Sequence, residues 1–145
     1  MTQEPRKRAL RPIFALVALS LLTVPALAAA DERGQIVASR DLRFTDRPDG
    51  AVEVTNAATG ETITVLAPES HAFIRALMRG LVRQRVRESK GPEIPFRLTA
   101  WSDGELILDD PATHRSVELA AFGHSNEADF VELLPLKLRD IGGPQ

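Results

Sequence analysis

Three histidines, two serine–histidine neighbours and one aspartate pair are the residues whose types suit catalysis or metal binding in this 145-residue chain. His71, His114 and His124 have none of the two-to-five-residue spacings that set metal ligands on one helix face or turn, and no cysteine completes a set. His71 is expected near the first turn of a helix, as a histidine at the core edge or, alternatively, as a pigment or metal ligand. Ser70 beside His71, and Ser125 beside His124, bring hydroxyl and imidazole together, but no G-x-S-x-G elbow presents either serine as a nucleophile. Helix capping accounts for both serines. Asp109 and Asp110 would be an acid–base pair only if they shared a face, and strand neighbours point to opposite faces. They read as a strand end entering a turn. No catalytic residue, metal ligand or cofactor is expected, and the chain does not read as an enzyme.

A second constellation is electrostatic. Arg75, Arg79, Arg83 and Arg87 recur every four residues, with Arg85 and Lys90 nearby, and only Glu69 and Glu88 offset them locally. That spacing draws a basic ridge along one helix flank, opposite or beside the apolar stripe. It is either a solvated helix face or a contact surface for anionic lipid headgroups or an acidic partner. Trp101, the single tryptophan, is either a hairpin packing residue or an interfacial anchor.

The elements that position these residues occur twice. Shifting "FRLTAWSDGELILDDPATHRSVELA" back by 54 positions lays Arg97 on Arg43, Thr99 on Thr45, Asp103 and Gly104 on Asp49 and Gly50, and Ala112 and Thr113 on Ala58 and Thr59. In the first copy Leu42 and Phe44, Val52 and Val54, and Ile63 and Val65 alternate with polar residues, the period of half-buried strands. Turns fall at Pro48–Asp49–Gly50 and at Gly60. A helix is then expected to open at Pro68, carry Ile74, Leu77, Met78, Leu81 and Val82 inward, and stop at Gly91–Pro92. The second copy follows the same plan. Strands are expected at Phe96–Leu98, Leu106–Leu108 and Val117–Leu119, with turns at Asp103–Gly104 and near Thr113. His114 takes the place of Gly60 as a turn residue. Ser125 or Asn126 then caps a helix running to Pro135. The expected fold is α+β, a three-stranded antiparallel meander plus helix (βββα) twice, at about 40–90 and 95–138, joined by "SKGPEIP". Units of about 50 residues are marginal alone, so the halves should share one core.

The composition, 43% hydrophobic and 26% charged, is that of a globular domain. Residues 1–30 carry a net charge of +3 and the remainder −5, so the body is a poor match for nucleic-acid phosphates. "PIFALVALSLLTVPALAAA", from Pro12 to Ala30, is uncharged and comes after a basic cluster. It reads as an N-terminal membrane anchor or as a signal peptide with an A-x-A site at Ala26–Ala28. Both readings leave the N-terminus cytoplasmic and export residues 31–145.

The stretches "RDLRFTDRPDGAVEVTNAATGE", "FIRALMRGLVRQR", "PFRLTAWSDGELILDDPATHR" and "AFGHSN" resemble the photosynthetic complex assembly protein PuhC family of purple phototrophic bacteria. The resemblance runs from about Arg40 to Leu134. It implies a membrane-associated, periplasmic-side factor that helps assemble the core complex of reaction centre and light-harvesting 1 antenna. The partners so implied are the subunits of that complex and the membrane, with no cofactor. A single N-terminal anchoring helix is usual in the family, and the A-x-A site departs from that pattern. His114 and His124 stand where glycine and proline are expected in relatives. A small periplasmic module binding a pigment or lipid between the halves is the alternative.

Overall fold

The computed structural model describes residues 34–136. The N-terminal segment 1–30, the anchor-or-signal question and the tail beyond residue 136 lie outside them. The element order is β1 (Ile36–Asp46), β2 (Val52–Asn56), β3 (Thr62–Leu66), α1 (Ala72–Arg87), β4 (Phe96–Trp101), β5 (Leu106–Asp110), β6 (Arg115–Glu118), a 3-10 turn (Leu119–Phe122) and α2 (His124–Val131). The strands form one antiparallel sheet in the order β3-β2-β1-β4-β5-β6. The fold is α+β.

Alternation decides the two faces of this sheet. Leu42, Val54, Leu98, Leu106 and Leu108 are fully buried and join Ile74, Met78 and Leu81 of α1 and Phe130 and Val131 of α2 in one hydrophobic cluster. Both helices therefore cover the same face, and residues from both halves of the chain make up a single core. Phe73 of α1 reaches α2 directly, edge-on to Phe130 with centroids 6.0 Å apart. The opposite face carries polar cross-strand pairs such as Asp41–Arg97, Ser39–Thr99 and Glu53–Thr62.

The registers follow the 54-residue offset. Leu42 pairs with Phe96, its own counterpart, at the end of the β1–β4 ladder. Arg43 faces Thr55 in the first hairpin, and Arg97 faces Asp109 in the second. The turns correspond as well. Asp49 Oδ1 accepts from the Ala51 amide and Asp103 Oδ1 from that of Glu105, each at 3.0 Å, while Gly50 and Gly104 adopt φ of 80° and 94°. At the next turn Gly60 and His114 adopt φ of 74° and 55°, so His114 is the turn residue its position predicts. One difference is a register shift between Val54 and Thr55 against β3. It turns Leu66 inward, leaving Val65, expected to face the core with Ile63, exposed.

Several predicted boundaries move, for local reasons. Pro68 does not open α1: the Ser70 amide and hydroxyl both bond the Ala67 carbonyl at 3.0 Å, closing a turn. His71 then resets the chain in the left-handed region, φ 48°, and the helix begins at Ala72 with no side-chain cap. The far end comes before Gly91. Ser89 sits at φ 55°, its amide bonds Val86 O at 3.1 Å, and the Lys90 amide bonds Arg85 O at 2.8 Å, which is a Schellman termination with serine in the usual glycine position. α2 starts at His124 with Gly123 at its N-cap, and neither Ser125 nor Asn126 caps it; the Asn126 side chain donates back to Phe122 O. Leu119 opens the 3-10 turn and does not extend β6.

Candidate functional site

The residues considered for catalysis do not converge. His124 is fully exposed and lies 3.5 Å from Glu127. His71 Nδ1 lies 3.0 Å from Ser70 Oγ, whose own proton goes to the Ala67 carbonyl. The imidazole must therefore donate in that contact, so it cannot serve as the base that activates the serine. Among the described residues no group of three or more His, Cys, Asp or Glu could hold a metal.

Asp109 and Asp110 face apart as expected, but Asp110 is more than a strand end. Its carboxylate is fully buried and receives Arg85 in fork geometry, with Nε 3.0 Å from both oxygens and Nη2 2.7 Å from Oδ1. The Ala112 amide and the Thr113 hydroxyl add donors at 3.0 Å. Arg85 Nη1 donates to Ile94 O at 2.8 Å, and the guanidinium carbon lies 3.9 Å from the centroid of the Phe96 ring. Burial pushes the Asp110 pKa up, but the hydrogen bonds from Arg85 and Thr113, the Arg85 charge and the Ala112 amide outweigh it and hold it below the ordinary range. Arg85 thus leaves the exposed basic cluster and becomes the tie between α1 and β5. The signal was available: Arg85 comes after Ile74, Met78 and Leu81 on the inward stripe, where an arginine must find a buried partner.

The ridge itself divides. Arg79, Arg83 and Arg87 are exposed, and no carboxylate among the described residues pairs with them. Arg75 is half-buried, donates from Nη2 to Gly50 O at 3.0 Å, and has a buried Nη1 with no partner among the described residues. Glu88 accepts from the Gln84 side chain at 2.6 Å, so its nearest bond is not to an arginine. Trp101 belongs to the strand face opposite the helices, by alternation with Ala100, and lies away from the ridge. Its indole N–H is buried without a partner among the described residues.

Beside the ridge runs an apolar groove. One half-open compartment of about 310 Å³ is lined by Phe44, Leu66, Met78 and Val82, with Arg75, Arg79, Arg83 and Asp46 also around it. A second of about 320 Å³ is lined by Val82, Val86, Ile94 and Phe96, with Arg43 and Lys90 at its border. Phe44 and Val82 line both. Arg43 fixes the linker that walls the second compartment, donating to Pro92 O at 2.9 Å and to Glu93 O at 2.8 Å. No helix of the described residues is long and apolar enough to cross a membrane.

The geometry is that of an α+β domain: a sheet covered on one face by helices, with a basic, partly apolar helix flank exposed. Residues 37–139 match the family model described as photosynthetic complex reorganisation protein PuhC. The chain belongs to the PuhC family, and its function lies with the reorganisation of photosynthetic complexes. It is also similar to a protein of Rhodobacter capsulatus described as an "uncharacterized 17.4 kDa protein in puhA 5′ region", with 28% identity over 142 positions, covering 92% of this chain and 83% of that protein. No solved structure matches the chain.

Proposed function

We propose that this protein is a non-catalytic, membrane-associated assembly factor acting on the periplasmic side for the core complex of reaction centre and light-harvesting 1 antenna. The observation that carries the reading is the arginine ridge, Arg79, Arg83 and Arg87, which no carboxylate among the described residues pairs, on a domain with a net negative body. Exposed positive charge with no carboxylate partner among the described residues suits an acidic face or an anionic membrane surface. The basic cluster before Pro12–Ala30 supports export of residues 31–145, and membrane attachment is part of this proposal. We further read the chain as a tandem βββα repeat, on the strength of the ladder registers and turn hydrogen bonds that recur at the 54-residue offset.

The test is complementation of a phototrophic strain lacking the gene. Arg75 is unsuitable for it, because removing its bond to Gly50 O would perturb the fold. An Arg79→Gln, Arg83→Gln, Arg87→Gln protein should accumulate normally yet leave antenna and reaction-centre absorbance low. Subunits co-purified with the wild type should fall away as salt is raised. Full restoration of core-complex levels by the triple variant would sink the ridge's role.

A further inference from the structure

The groove beside α1 joins three features that a merely solvated helix face does not need. The first is apolar surface left open: Val82, Val86 and Ile94 are 46%, 70% and 47% exposed on neighbouring walls of the two compartments. The second is charge of one sign around the first compartment, where three arginines face a single acid, Asp46. The third is Arg75, which lines that compartment and whose buried Nη1 has no acceptor among the described residues. A donor left without an acceptor is unfavourable, so an acceptor in the compartment that the Arg75 guanidinium turns to meet is favoured.

From these we propose that the groove binds an anionic phospholipid, its phosphate held by Arg75, Arg79 and Arg83 and an acyl chain laid against Phe44, Met78 and Val82. Helix geometry sets the two parts side by side. At about 100° per residue, Arg75, Val82 and Val86 share one shoulder of α1, and Arg79 and Arg83 lie on the next. Three arginines suit a phosphate, with several acceptor oxygens, better than a single carboxylate. An amphipathic helix of a partner fits less well. With side chains it is about 10–12 Å across and needs a long trough, whereas the two compartments here hold only about 310 and 320 Å³. Each compartment is at the lower end of the roughly 300–1,000 Å³ usual for ligand sites. The inference stands apart from the assembly role, since the binding is read on the protein alone.

The chain carries its own reporter. Met1 and Met78 are its only methionines, and Met78 lines the first compartment. Full-length protein labelled at the methionine methyl groups, held in maltoside micelles, would be titrated with lauroyl-lysophosphatidylglycerol, lauroyl-lysophosphatidylcholine or laurate while both signals are followed. The anionic phospholipid should shift Met78 saturably, leave Met1 in place, and bind about tenfold more tightly than the choline lipid. Arg79→Gln with Arg83→Gln should erase that preference while leaving the melting temperature unchanged, since both side chains are exposed. Val82→Glu, a carboxylate in the wall between the compartments, should weaken the anionic lipid in particular. Equal responses to both phospholipids, laurate binding as tightly as the phosphate lipid, or no Met78 shift would each overturn the proposal. So would a shift caused by an acidic leucine–glutamate helical peptide and by neither phospholipid, which would reassign the groove to a protein partner.

Discussion

Replacing Asp110 with alanine removes every acceptor that the Arg85 fork meets on β5 and leaves the guanidinium, 4% exposed, with the Ile94 carbonyl and the Phe96 ring alone. The Ala112 amide and Thr113 hydroxyl lose their acceptor too. Breaking a buried pair from one side costs about 3–5 kcal/mol, because the remaining charge is uncompensated. At roughly 4–8 °C per kcal/mol for a domain of this size, the melting temperature should fall by at least about 12 °C. Arg85→Met should also be costly, stranding the Asp110 carboxylate. Combining Arg85→Met with Asp110→Asn removes both charges, and the asparagine can still accept from the Ala112 amide, as Asn56 Oδ1 does from Ala58 at the corresponding turn. With Asp110→Asn also measured alone, the double variant should therefore be more stable than the sum of the Arg85→Met and Asp110→Asn losses by about 1.5 kcal/mol or more in urea unfolding. Additivity within about 0.5 kcal/mol would refute the argument that the two charges act as one unit. A pH series adds a check of sign. The folded-state pKa of Asp110 is lowered, so its contribution is complete above the ordinary carboxylate value of about 3.9 and is lost as pH falls through the lower folded value. The difference in stability between wild type and the double variant should shrink on acidification below about pH 4.

Ser89→Gly should stabilise the protein by about 0.5–1 kcal/mol in the same assay, because the Schellman position at φ 55° suits glycine and costs serine. Gly104→Val should cost about 1 kcal/mol or more, since its φ of 94° lies where a β-branched residue is strained; an unchanged urea midpoint would show that the turn relaxes. A chain ending at Gly91 should give no cooperative melt, because β1 loses β4 and the helix face loses Leu98, Leu108 and Phe130.

Strand number, hairpin turns and the inward face of α1 were legible in the sequence because each rests on a local period or a residue of restricted conformation. Pro48–Asp49–Gly50 and Asp103–Gly104 announced their turns, and the position of His114 opposite Gly60 announced a positive φ. The missing parts depend on contacts between distant residues. Nothing near Pro68 says that Ser70 will bond backward to Ala67 and delay the helix to Ala72. Likewise the shift at Val54/Thr55, which exchanges Leu66 for Val65 on the inner face, arises in the pairing of two strands and leaves no mark on either period. The arginine ridge was readable as a spacing, but its division was not. Arg75 and Arg79 share the same four-residue rhythm, and only the approach of the Gly50 turn makes one a structural donor and leaves the other exposed.

The arginines of α1 thereby fall into two energetic classes with separable consequences. Arg85 holds the first half of the chain to the second, by way of Asp110, and its guanidinium covers Phe96 in the floor of the second compartment. Arg79, Arg83 and Arg87 make no contact whose loss should exceed about 0.5 kcal/mol, as expected for exposed side chains on a helix. The position of the ridge is set by the clamp, while the clamp takes nothing from the ridge. Loss of Asp110 should consequently damage both stability and any activity of the groove, whereas loss of the exposed arginines should damage activity alone. If substitutions in the two classes lowered stability and activity in the same proportion, the distinction between clamp and contact surface would collapse, and the ridge would have to be counted as part of the fold.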